Sequence, residues 1–264
     1  MKVLRPGVDP DAFFRGLASA QDRLLLLDYD GTLAPFRERR DQALPYPGVV
    51  AAVERILAGG HTRVVVVSGR AVQDLRPLLG LDPPPRIWGN HGWERLDGEG
   101  RLERVPLALE ARRALERAGE SLAAPALAGR VETKPASLAV HVRGLPEDEA
   151  RRLLEELRSA WEPLAGDTGL EVHDFDGGLE LRPAGRHKGT AVEEALRDEP
   201  PGVVAAYLGD DRTDEDAFRA LAGRGLTVLV RAEPRETAAD LWIRPPGELL
   251  EFLARWDREA GGTP

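Results

Sequence analysis

Two carboxylates follow the most apolar stretch of the chain. The run Leu24–Leu27 leads directly into Asp28 and Asp30, and Gly31 then lets the chain turn away. Residues two positions apart in an extended segment point to the same side, so both carboxylates can act on one substrate. A carboxylate beside a metal ion can attack phosphorus, and a second can protonate the leaving oxygen and then activate water. The simplest assignment makes Asp28 the nucleophile and Asp30 the general acid and base.

Polar groups also follow other apolar runs. The run Val64–Val67 ends in Ser68 and Gly69. A later apolar run ends in Asp210, and Lys188 opens the helical segment before it. Ligands of an open parallel sheet bind beyond the carboxyl ends of its strands, so these groups converge if the strands are parallel. Carboxylates without Cys or paired His suit Mg²⁺, whereas a Ser hydroxyl, backbone N–H groups and a Lys suit a phosphate. The residue types therefore predict a joint site for Mg²⁺ and phosphate.

A parallel sheet is needed to bring these residues together, and the chain has the pattern of one. Continuous apolar runs alternate with segments of helical spacing in the first hundred residues and again after Pro183. This alternation predicts an α/β fold with a Rossmann-like parallel-sheet core and helices on both faces. The middle of the chain instead has the pattern of an α+β layer. We therefore expect a core formed by residues 1–103 and 183–264, with an inserted domain over 104–182.

The inserted segment has its own set of predicted elements. The stretch "RVETKPASLAVHVRG" alternates and predicts one half-exposed strand, on which His141 and Arg143 share a face. A helix is expected from Glu147 to Leu164, with acids in its first turn. A hairpin is expected around Asp176. Together these elements predict an antiparallel sheet that is open on one face.

The composition excludes several classes of protein. The chain has 264 residues, of which 42% are hydrophobic, and a formal net charge of −9. This negative charge argues against a protein that coats nucleic acid or an anionic membrane. The absence of Cys excludes disulfides and thiolate chemistry. No apolar run reaches the length of a membrane span. We expect a cytoplasmic monomer that acts on a small molecule, with no nucleic-acid or membrane partner.

Four motifs in order resemble the haloacid dehalogenase superfamily of phosphatases. They are "DYDGTL", "VVVSGR", Lys188 and "GDDRTDEDAF". The resemblance implies that Asp28 is the nucleophile and Asp30 the acid and base, and that Ser68 and Lys188 hold the phosphoryl group. It also implies that the late acids help to hold Mg²⁺. The implied metal ligands are Asp28, Asp30, Asp210, Asp211 and Asp214.

Longer segments are similar to one branch of that superfamily, the trehalose-6-phosphate phosphatases. The segments are "DYDGTLAPF", "GNHGWE", "KPASLAVHVR", "LELRPAGRHKG" and "GDDRTDEDAF". The resemblance implies that residues 104–182 form a cap that contacts the sugar. It also implies Mg²⁺-dependent hydrolysis of trehalose 6-phosphate to trehalose and phosphate through an aspartyl-phosphate. The implied sugar-binding positions are Asn90, His91, Glu132, Lys134, His141, Arg143 and Glu180.

Other functions would use the same core residues. A capped phosphatase for sucrose phosphate or a glycosyl-phosphoglycerate would have this core, as would a phosphosugar mutase. A receiver-type signalling switch also combines acids, a Ser or Thr and a Lys around an aspartyl-phosphate. Asp30 and the insertion of about 80 residues count against the switch, because a long-lived phosphorylated state would avoid a general base.

The sequence leaves the role of Asp214 open and supports two further expectations. Asp214 either ligates the metal or orients Lys188. Arg70 is expected to pair with another group rather than bind phosphate. Closure over the site is expected, with hinges near residues 103–106 and 182–185.

Overall fold

The computed structural model describes residues 1–37, 39–122, 127, 129–175 and 177–261. The chain divides into two compact units. One comprises Met1–Glu103 and His187–Pro264, and the other comprises Arg104–Arg186. Among the described helices, none is long and apolar enough to cross a membrane. The expected monomeric state and cytoplasmic location stay predictions.

Thirteen strands and eight α-helices are found within the described residues. The strands are β1 (Lys2–Val3), β2 (Arg23–Leu27), β3 (Arg63–Val67), β4 (Arg86–Gly89), β5 (Glu94–Leu96), β6 (Leu102–Arg104), β7 (Val131–Lys134), β8 (Ser137–His141), β9 (Leu170–Phe175), β10 (Gly178–Pro183), β11 (Val204–Gly209), β12 (Gly225–Val230) and β13 (Leu241–Ile243). The helices are α1 (Pro10–Ser19), α2 (Val49–Ala58), α3 (Val72–Leu79), α4 (Leu109–Ser121), α5 (Glu147–Thr168), α6 (Lys188–Arg197), α7 (Glu215–Leu221) and α8 (Gly247–Glu259).

The first unit is built on a parallel-dominated sheet. Its strand order is β1-β13-β12-β11-β2-β3-β4-β5-β6. The pairs from β13 through β12, β11, β2 and β3 to β4 are all parallel, and β1 and β5 join them in antiparallel orientation. In β2, Leu27 is opposite Leu208 on one side and Val66 on the other. The ends of β11, β2 and β3 are therefore neighbours, and the predicted α/β fold is confirmed.

Both faces of this sheet are covered, which explains the uninterrupted apolar run of β2. Leu25 and Leu27 belong to one apolar cluster, together with residues of α1, α2, α3 and α8. Leu24 and Leu26 belong to a second cluster, together with residues of α6 and α7. Each fully buried leucine contributes about 1.5–3 kcal/mol relative to an exposed one. The strand that leads to Asp28 is thus firmly fixed on both sides.

The second unit has a four-stranded antiparallel sheet of order β7-β8-β10-β9. Leu138, Val140, Leu179 and Leu181 form an apolar cluster with residues of α4 and α5. Alternate residues of the same strands point to the opposite face, which carries the polar side chains described below. Of the predicted hairpin, Asp176 lies outside the described residues.

Two predictions for the second unit are wrong in detail. The stretch "RVETKPASLAVHVRG" is two strands, because Pro135 and Ala136 form a turn and Lys134 pairs with Ser137 across it. Helix α5 continues beyond Leu164 to Thr168, through Pro163. A proline removes one helical donor, but Leu164 still packs against the apolar cluster, which favours a further turn of helix.

Candidate active site

Three buried carboxylates meet at the ends of the central strands. Asp28 directly follows β2, and its backbone N–H continues the ladder to the Leu208 carbonyl at 2.9 Å. Asp210 directly follows β11, and Asp214 lies in the 3₁₀ turn after it. One oxygen of each carboxylate lies within 4.8 Å of the other two. Parallel pairing of β2 with β11 therefore brings together acids that are far apart in the sequence.

Lys188 joins two of these carboxylates. It is the first residue of α6, it is buried, and its Nζ donates to Asp28 Oδ1 and Asp214 Oδ1 at 2.7 Å each. Burial alone would lower the pKa of Lys188, but Asp214 and Asp28 outweigh this effect and raise it. The ammonium therefore stays charged beside the predicted nucleophile.

Asp214 uses both of its oxygens within the protein. Oδ1 accepts from Lys188 Nζ and from the Tyr207 hydroxyl at 2.5 Å. Oδ2 accepts from the backbone N–H groups of Asp210 and Asp211 at 3.0 and 2.9 Å. A carboxylate has about four acceptor positions, and four donors occupy them. This arrangement favours the role of orienting Lys188 over that of ligating a metal.

Asp210 has the properties of a cation ligand. It is 1% exposed, and its Oδ1 has no hydrogen-bond partner in the described structure. Burial raises the pKa of Asp210 well above its ordinary value, and Asp28 and Asp214 raise it further. A divalent cation would relieve this repulsion and satisfy the oxygen. Oxygen-only donors of this kind suit Mg²⁺, so the residues fit the predicted metal.

Asp211 and Asp30 are placed differently from this cluster. Asp211 Oδ1 accepts from the Arg212 backbone N–H at 2.6 Å, so its side chain caps the 3₁₀ turn. Asp30 lies beyond Asp28, and both of its oxygens accept from Arg70. Arg70 Nε donates to Oδ2 at 2.6 Å, and Arg70 Nη2 donates to Oδ1 at 2.7 Å. The expectation that Arg70 pairs with another group agrees with this geometry. Metal ligation by Asp30 or Asp211 through their carboxylates stays a prediction and would require a change of partner.

The pKa of Asp28 is unusual for a carboxyl group. This pKa is raised from 3.8 to about 7, chiefly by burial. Lys188 acts to lower it, whereas Asp214 and Asp30 add to the rise. The Thr32 hydroxyl also donates to Asp28 Oδ2 at 3.3 Å. Burial likewise acts on the pKa of Asp30, but the bonds to Arg70 outweigh it and the pKa is lowered. The two neighbouring acids are thus held in different environments: without metal, burial favours the protonated form of Asp28, whereas Arg70 holds Asp30 as a carboxylate. The predicted roles of ionised nucleophile and protonated acid therefore require both groups to change protonation state during the reaction.

The predicted phosphate loop is tied to the loop of Asn90 and His91. The backbone N–H of Asn90 donates to the Arg70 carbonyl at 2.7 Å, and that of His91 donates to the Ser68 carbonyl at 3.0 Å. Both Asn90 and His91 have left-handed backbone angles, with φ of 51° and 55°. Such angles are uncommon for residues other than glycine and concentrate at functional sites. A Cβ on Gly69 would lie 2.7 Å from the His91 ring, so glycine permits this contact.

The predicted sugar-binding residues of the second unit lie close together. Glu132 and Glu180 are both opposite Ala139, so they share one face of the sheet. Lys134 Nζ donates to Glu180 Oε1 at 2.7 Å, and His141 Nε2 lies 3.1 Å from Glu132 Oε2. We call these four residues the polar face: Glu132, Lys134, His141 and Glu180.

Arg143 lies just beyond β8. A Cβ on Gly177 would lie 2.6 Å from Arg143 Nε, so this glycine allows the arginine to lie against the chain there. The Arg143 carbonyl accepts from Arg130 at 3.0 Å. The single-strand prediction placed Lys134 and Arg143 on one strand, whereas the turn at Pro135 puts Lys134 on the neighbouring one.

The sequence did not predict the contacts of several residues in this region. Tyr207 belongs to an apolar strand, and nothing in its spacing marks its bond to Asp214. Glu94 is buried, with 1% of its surface exposed. Its Oε2 accepts from the backbone N–H of Val72, 22 residues earlier in the chain, at 2.8 Å. Arg235 donates to the Asp211 carbonyl at 2.7 Å from a loop without a motif. Of these three residues, only Glu94 lies in a segment that resembles the family, "GNHGWE".

The fold and these motifs define a hydrolase of the haloacid dehalogenase type. A solved haloacid dehalogenase-like hydrolase from B. subtilis aligns with a TM-score of 0.59 and 15% identity, over 88% of this chain and 99% of that one. The C-terminal domain of C. albicans trehalose-6-phosphate phosphatase aligns with a TM-score of 0.77 and 21% identity, over 98% and 99% of the two chains. At these identities the likeness shows the fold.

The family is given by sequence. The family model described as trehalose-phosphatase matches residues 26–241. Trehalose 6-phosphate phosphatase RA3 of Zea mays is 32% identical over 93% of this chain and 73% of that protein. A trehalose-phosphate phosphatase of Mycobacterium marinum is 32% identical over 88% of this chain but only 60% of its own length. The chain belongs to the trehalose-phosphatase family, whose members are phosphoric monoester hydrolases.

Proposed function

We propose that this protein hydrolyses trehalose 6-phosphate to trehalose and phosphate, with Mg²⁺, through an aspartyl-phosphate on Asp28. The observation that carries the proposal is the 2.7 Å contact of Lys188 Nζ with Asp28, beside the buried carboxylates of Asp210 and Asp214. A buried cation next to a carboxylate that follows a rigid strand suits attack on a dianionic phosphate. The substrate itself is inferred from the names of the relatives.

The first half of the reaction transfers the phosphoryl group to the protein. An oxygen of Asp28 forms a bond to phosphorus, and the bond between phosphorus and the sugar oxygen breaks. Asp30 must first take up a proton from solvent, against the lowering of its pKa by Arg70. It then gives this proton to the sugar oxygen, so trehalose leaves as the neutral alcohol. Ser68 and the backbone N–H of Gly69 are proposed to hold the phosphate oxygens, together with Lys188.

The second half releases phosphate. Asp30, now a carboxylate, accepts a proton from a water molecule whose oxygen attacks phosphorus. The bond between Asp28 and phosphorus breaks, and both aspartates return to their starting states. One residue thus serves as acid and then as base, which requires that it be held in place for both steps.

The carboxylates of Asp28 and Asp210 are the proposed protein ligands of Mg²⁺. Asp30 and Asp211 belong to the same predicted set, although other groups occupy their carboxylates here. We assign Asp214 to Lys188 rather than to the metal, because four donors surround its oxygens. Mg²⁺ bound here would neutralise phosphate charge and favour attack by an anionic nucleophile.

The polar face and Arg143 are proposed to recognise the sugar, with Asn90 and His91 in support. Sugar hydroxyl groups both donate and accept hydrogen bonds, and the polar face offers carboxylates, an ammonium and an imidazole within one cluster. The second unit would then act as the predicted cap. Asp28→Asn and Glu180→Gln should therefore behave differently, because the first removes the nucleophile and the second removes sugar contacts.

A panel of sugar phosphates, read by phosphate release with Mg²⁺ and with EDTA, tests the proposal. Trehalose 6-phosphate should be the best substrate, ahead of sucrose 6-phosphate, a glucosyl-phosphoglycerate and glucose 6-phosphate. Asp28→Asn should remove turnover on every member, whereas Glu180→Gln should raise KM for trehalose 6-phosphate alone. Normal phosphate release by Asp28→Asn contradicts the mechanism. A different best substrate leaves the mechanism in place and corrects the sugar.

A further inference from the structure

Arg70 holds both oxygens of Asp30 in a planar fork. Its Nε donates to Oδ2 at 2.6 Å and its Nη2 donates to Oδ1 at 2.7 Å. Two parallel bonds of this kind fix the plane of a carboxylate, whereas a single bond leaves it free to rotate. Asp30 has a partly exposed side chain, so Arg70 supplies orientation that packing alone does not give.

Arg70 is itself immobilised by its surroundings. Its side chain is 3% exposed, and its Nη1 donates to the Arg40 carbonyl at 3.0 Å. Its guanidinium lies over the Tyr29 ring, 5.6 Å from the ring centre. The Tyr29 hydroxyl in turn donates to the Ala43 carbonyl at 2.7 Å. The fork is therefore fixed on the side away from Asp30 as well.

The fork also links the acid–base residue to the predicted phosphate loop. Arg70 is two residues from Ser68, and its backbone N–H donates to Ser68 Oγ at 3.2 Å. The side chain and the backbone of one residue thus orient two parts of the proposed machinery. The fork occupies one acceptor position on each Asp30 oxygen, and a carboxylate oxygen has a second. A carboxylate held in this way can therefore still accept a proton at its second positions, and it can pass that proton on only after taking it up.

We propose that Arg70 is a positioning residue for Asp30, which it orients for proton transfer without touching the phosphate. This inference rests on the proposed function, because it requires Asp30 to act as acid and base. Catalytic groups need to be held within about 0.5 Å and 10–20° of the productive geometry. The fork from Arg70 meets that need for a side chain at the edge of the acid cluster.

A double-mutant cycle with two leaving groups tests the proposal. An alkyl phosphate, trehalose 6-phosphate, needs a proton on its leaving oxygen, whereas p-nitrophenyl phosphate does not. Arg70→Met should lower kcat for the alkyl ester by about 10–100-fold, a part of the 10²–10⁴-fold typical of acid–base catalysis. The first-turnover burst of p-nitrophenol should stay within about threefold of the unmodified protein, since formation of the Asp28 phosphate does not need Asp30. In the Asp30→Asn background, Arg70→Met should cause no further loss.

Two further variants control for folding and for charge. Arg39→Met removes the arginine of an exposed pair with Asp41, in which Nη2 donates at 2.7 Å, and should leave both substrates unaffected. Arg70→Lys keeps one charge without the planar fork, and should show an intermediate loss on the alkyl ester with the burst unchanged. If Arg70→Met unfolds at assay temperature, the comparison of the two substrates is made with Arg70→Lys instead.

The outcomes separate the inference from the function on which it rests. If the unmodified protein hydrolyses neither ester, the proposed function fails. If it hydrolyses both, and the Arg70 variants lose the burst as severely as the alkyl reaction, Arg70 acts on the phosphate or on the fold and the inference is overturned. A further loss from Arg70→Met in the Asp30→Asn background would overturn it as well.

Discussion

Lys188 Nζ lies 2.7 Å from Asp28 Oδ1, although 160 residues separate the two in the sequence. The contact exists because α6 begins at Lys188 where β2 ends at Leu27. A buried ammonium beside the predicted nucleophile can bind an incoming phosphate and offset the charge that builds up during attack. It also limits the repulsion between Asp28 and Asp214, since both carboxylates share it.

Replacing Lys188 should therefore damage catalysis and stability together. We expect Lys188→Met to lower kcat by about 10²–10³-fold, the usual loss for one preorganised donor. The free energy of unfolding should fall by up to about 3–5 kcal/mol, because two buried carboxylates lose their cation. The stability loss should be greatest at high pH, where these carboxylates cannot take up protons. Urea unfolding at several pH values and steady-state kinetics measure the two effects.

Lys2→Met is the matched control, because Lys2 is exposed on β1. It should change neither quantity. Equal losses in the two variants would show that the effect comes from lysine removal in general rather than from the buried contact.

The Tyr207 hydroxyl should contribute to catalysis through Asp214. Tyr207→Phe removes a 2.5 Å bond to Asp214 Oδ1 and leaves that oxygen with Lys188 alone. A hydrogen bond to a charged group contributes about 1.5–3 kcal/mol, so we expect a clear loss of stability and a reduction of kcat of about tenfold. Thr62→Val is a suitable comparison, because it removes a buried hydroxyl that accepts from Trp256 before β3 begins. It should lower stability without changing kcat.

Gly31 should be irreplaceable for two separable reasons. Its φ is +84°, and a Cβ there would overlap the Asp210 carboxylate. Gly7 has nearly the same φ, +86°, with open space where a Cβ would lie. Both Gly31→Ala and Gly7→Ala should lose about 1 kcal/mol from the backbone angle. Only Gly31→Ala should also weaken Mg²⁺ binding and abolish turnover, as calorimetry and phosphate release would show. Equal activity in the two variants would contradict a functional role for Asp210.

The sequence predicted the sheet and the grouping of acids at its edge because both follow from local patterns. Leu24–Leu27 is apolar at every position, which indicates a strand buried on both faces, and its end fixes the place of Asp28. Parallel strands bring their carboxyl ends to one edge, so Asp210 could be placed near Asp28 without knowledge of the register. Only the order of the strands and the types of residue at their ends are needed to place these acids.

Side-chain pairing could not be predicted in the same way. The bonds from Tyr207 to Asp214 and from Glu94 to Val72 depend on how neighbouring elements pack, and no spacing rule encodes them. The turn at Pro135 was also missed, because alternation continues through it and the two strands look like one. A sequence pattern predicts the direction of a side chain, whereas its partner depends on the three-dimensional register.

The stability of the metal-free protein should depend on pH through Asp28. Its pKa is raised, chiefly by burial, from 3.8 to about 7. Between these values the folded state holds a proton that the unfolded state has released, so the free energy of unfolding should fall as pH rises from about 4 to about 7. The slope for one proton is at most about 1.4 kcal/mol per pH unit. Urea unfolding in EDTA measures it, and Asp28→Asn should flatten the dependence.

Magnesium should oppose this trend, because the ion competes with the same proton. Affinity should fall on acidification below pH 7, approaching tenfold per pH unit for one displaced proton. The raised pKa of Asp210, caused mainly by burial, acts in the same direction. Calorimetry in two buffers of different ionisation enthalpy should detect more proton release on Mg²⁺ binding at pH 6 than at pH 9. Asp28→Asn should bind Mg²⁺ more weakly and release fewer protons at pH 6. An unchanged proton count in that variant would show that Asp28 does not hold the proton that the metal displaces.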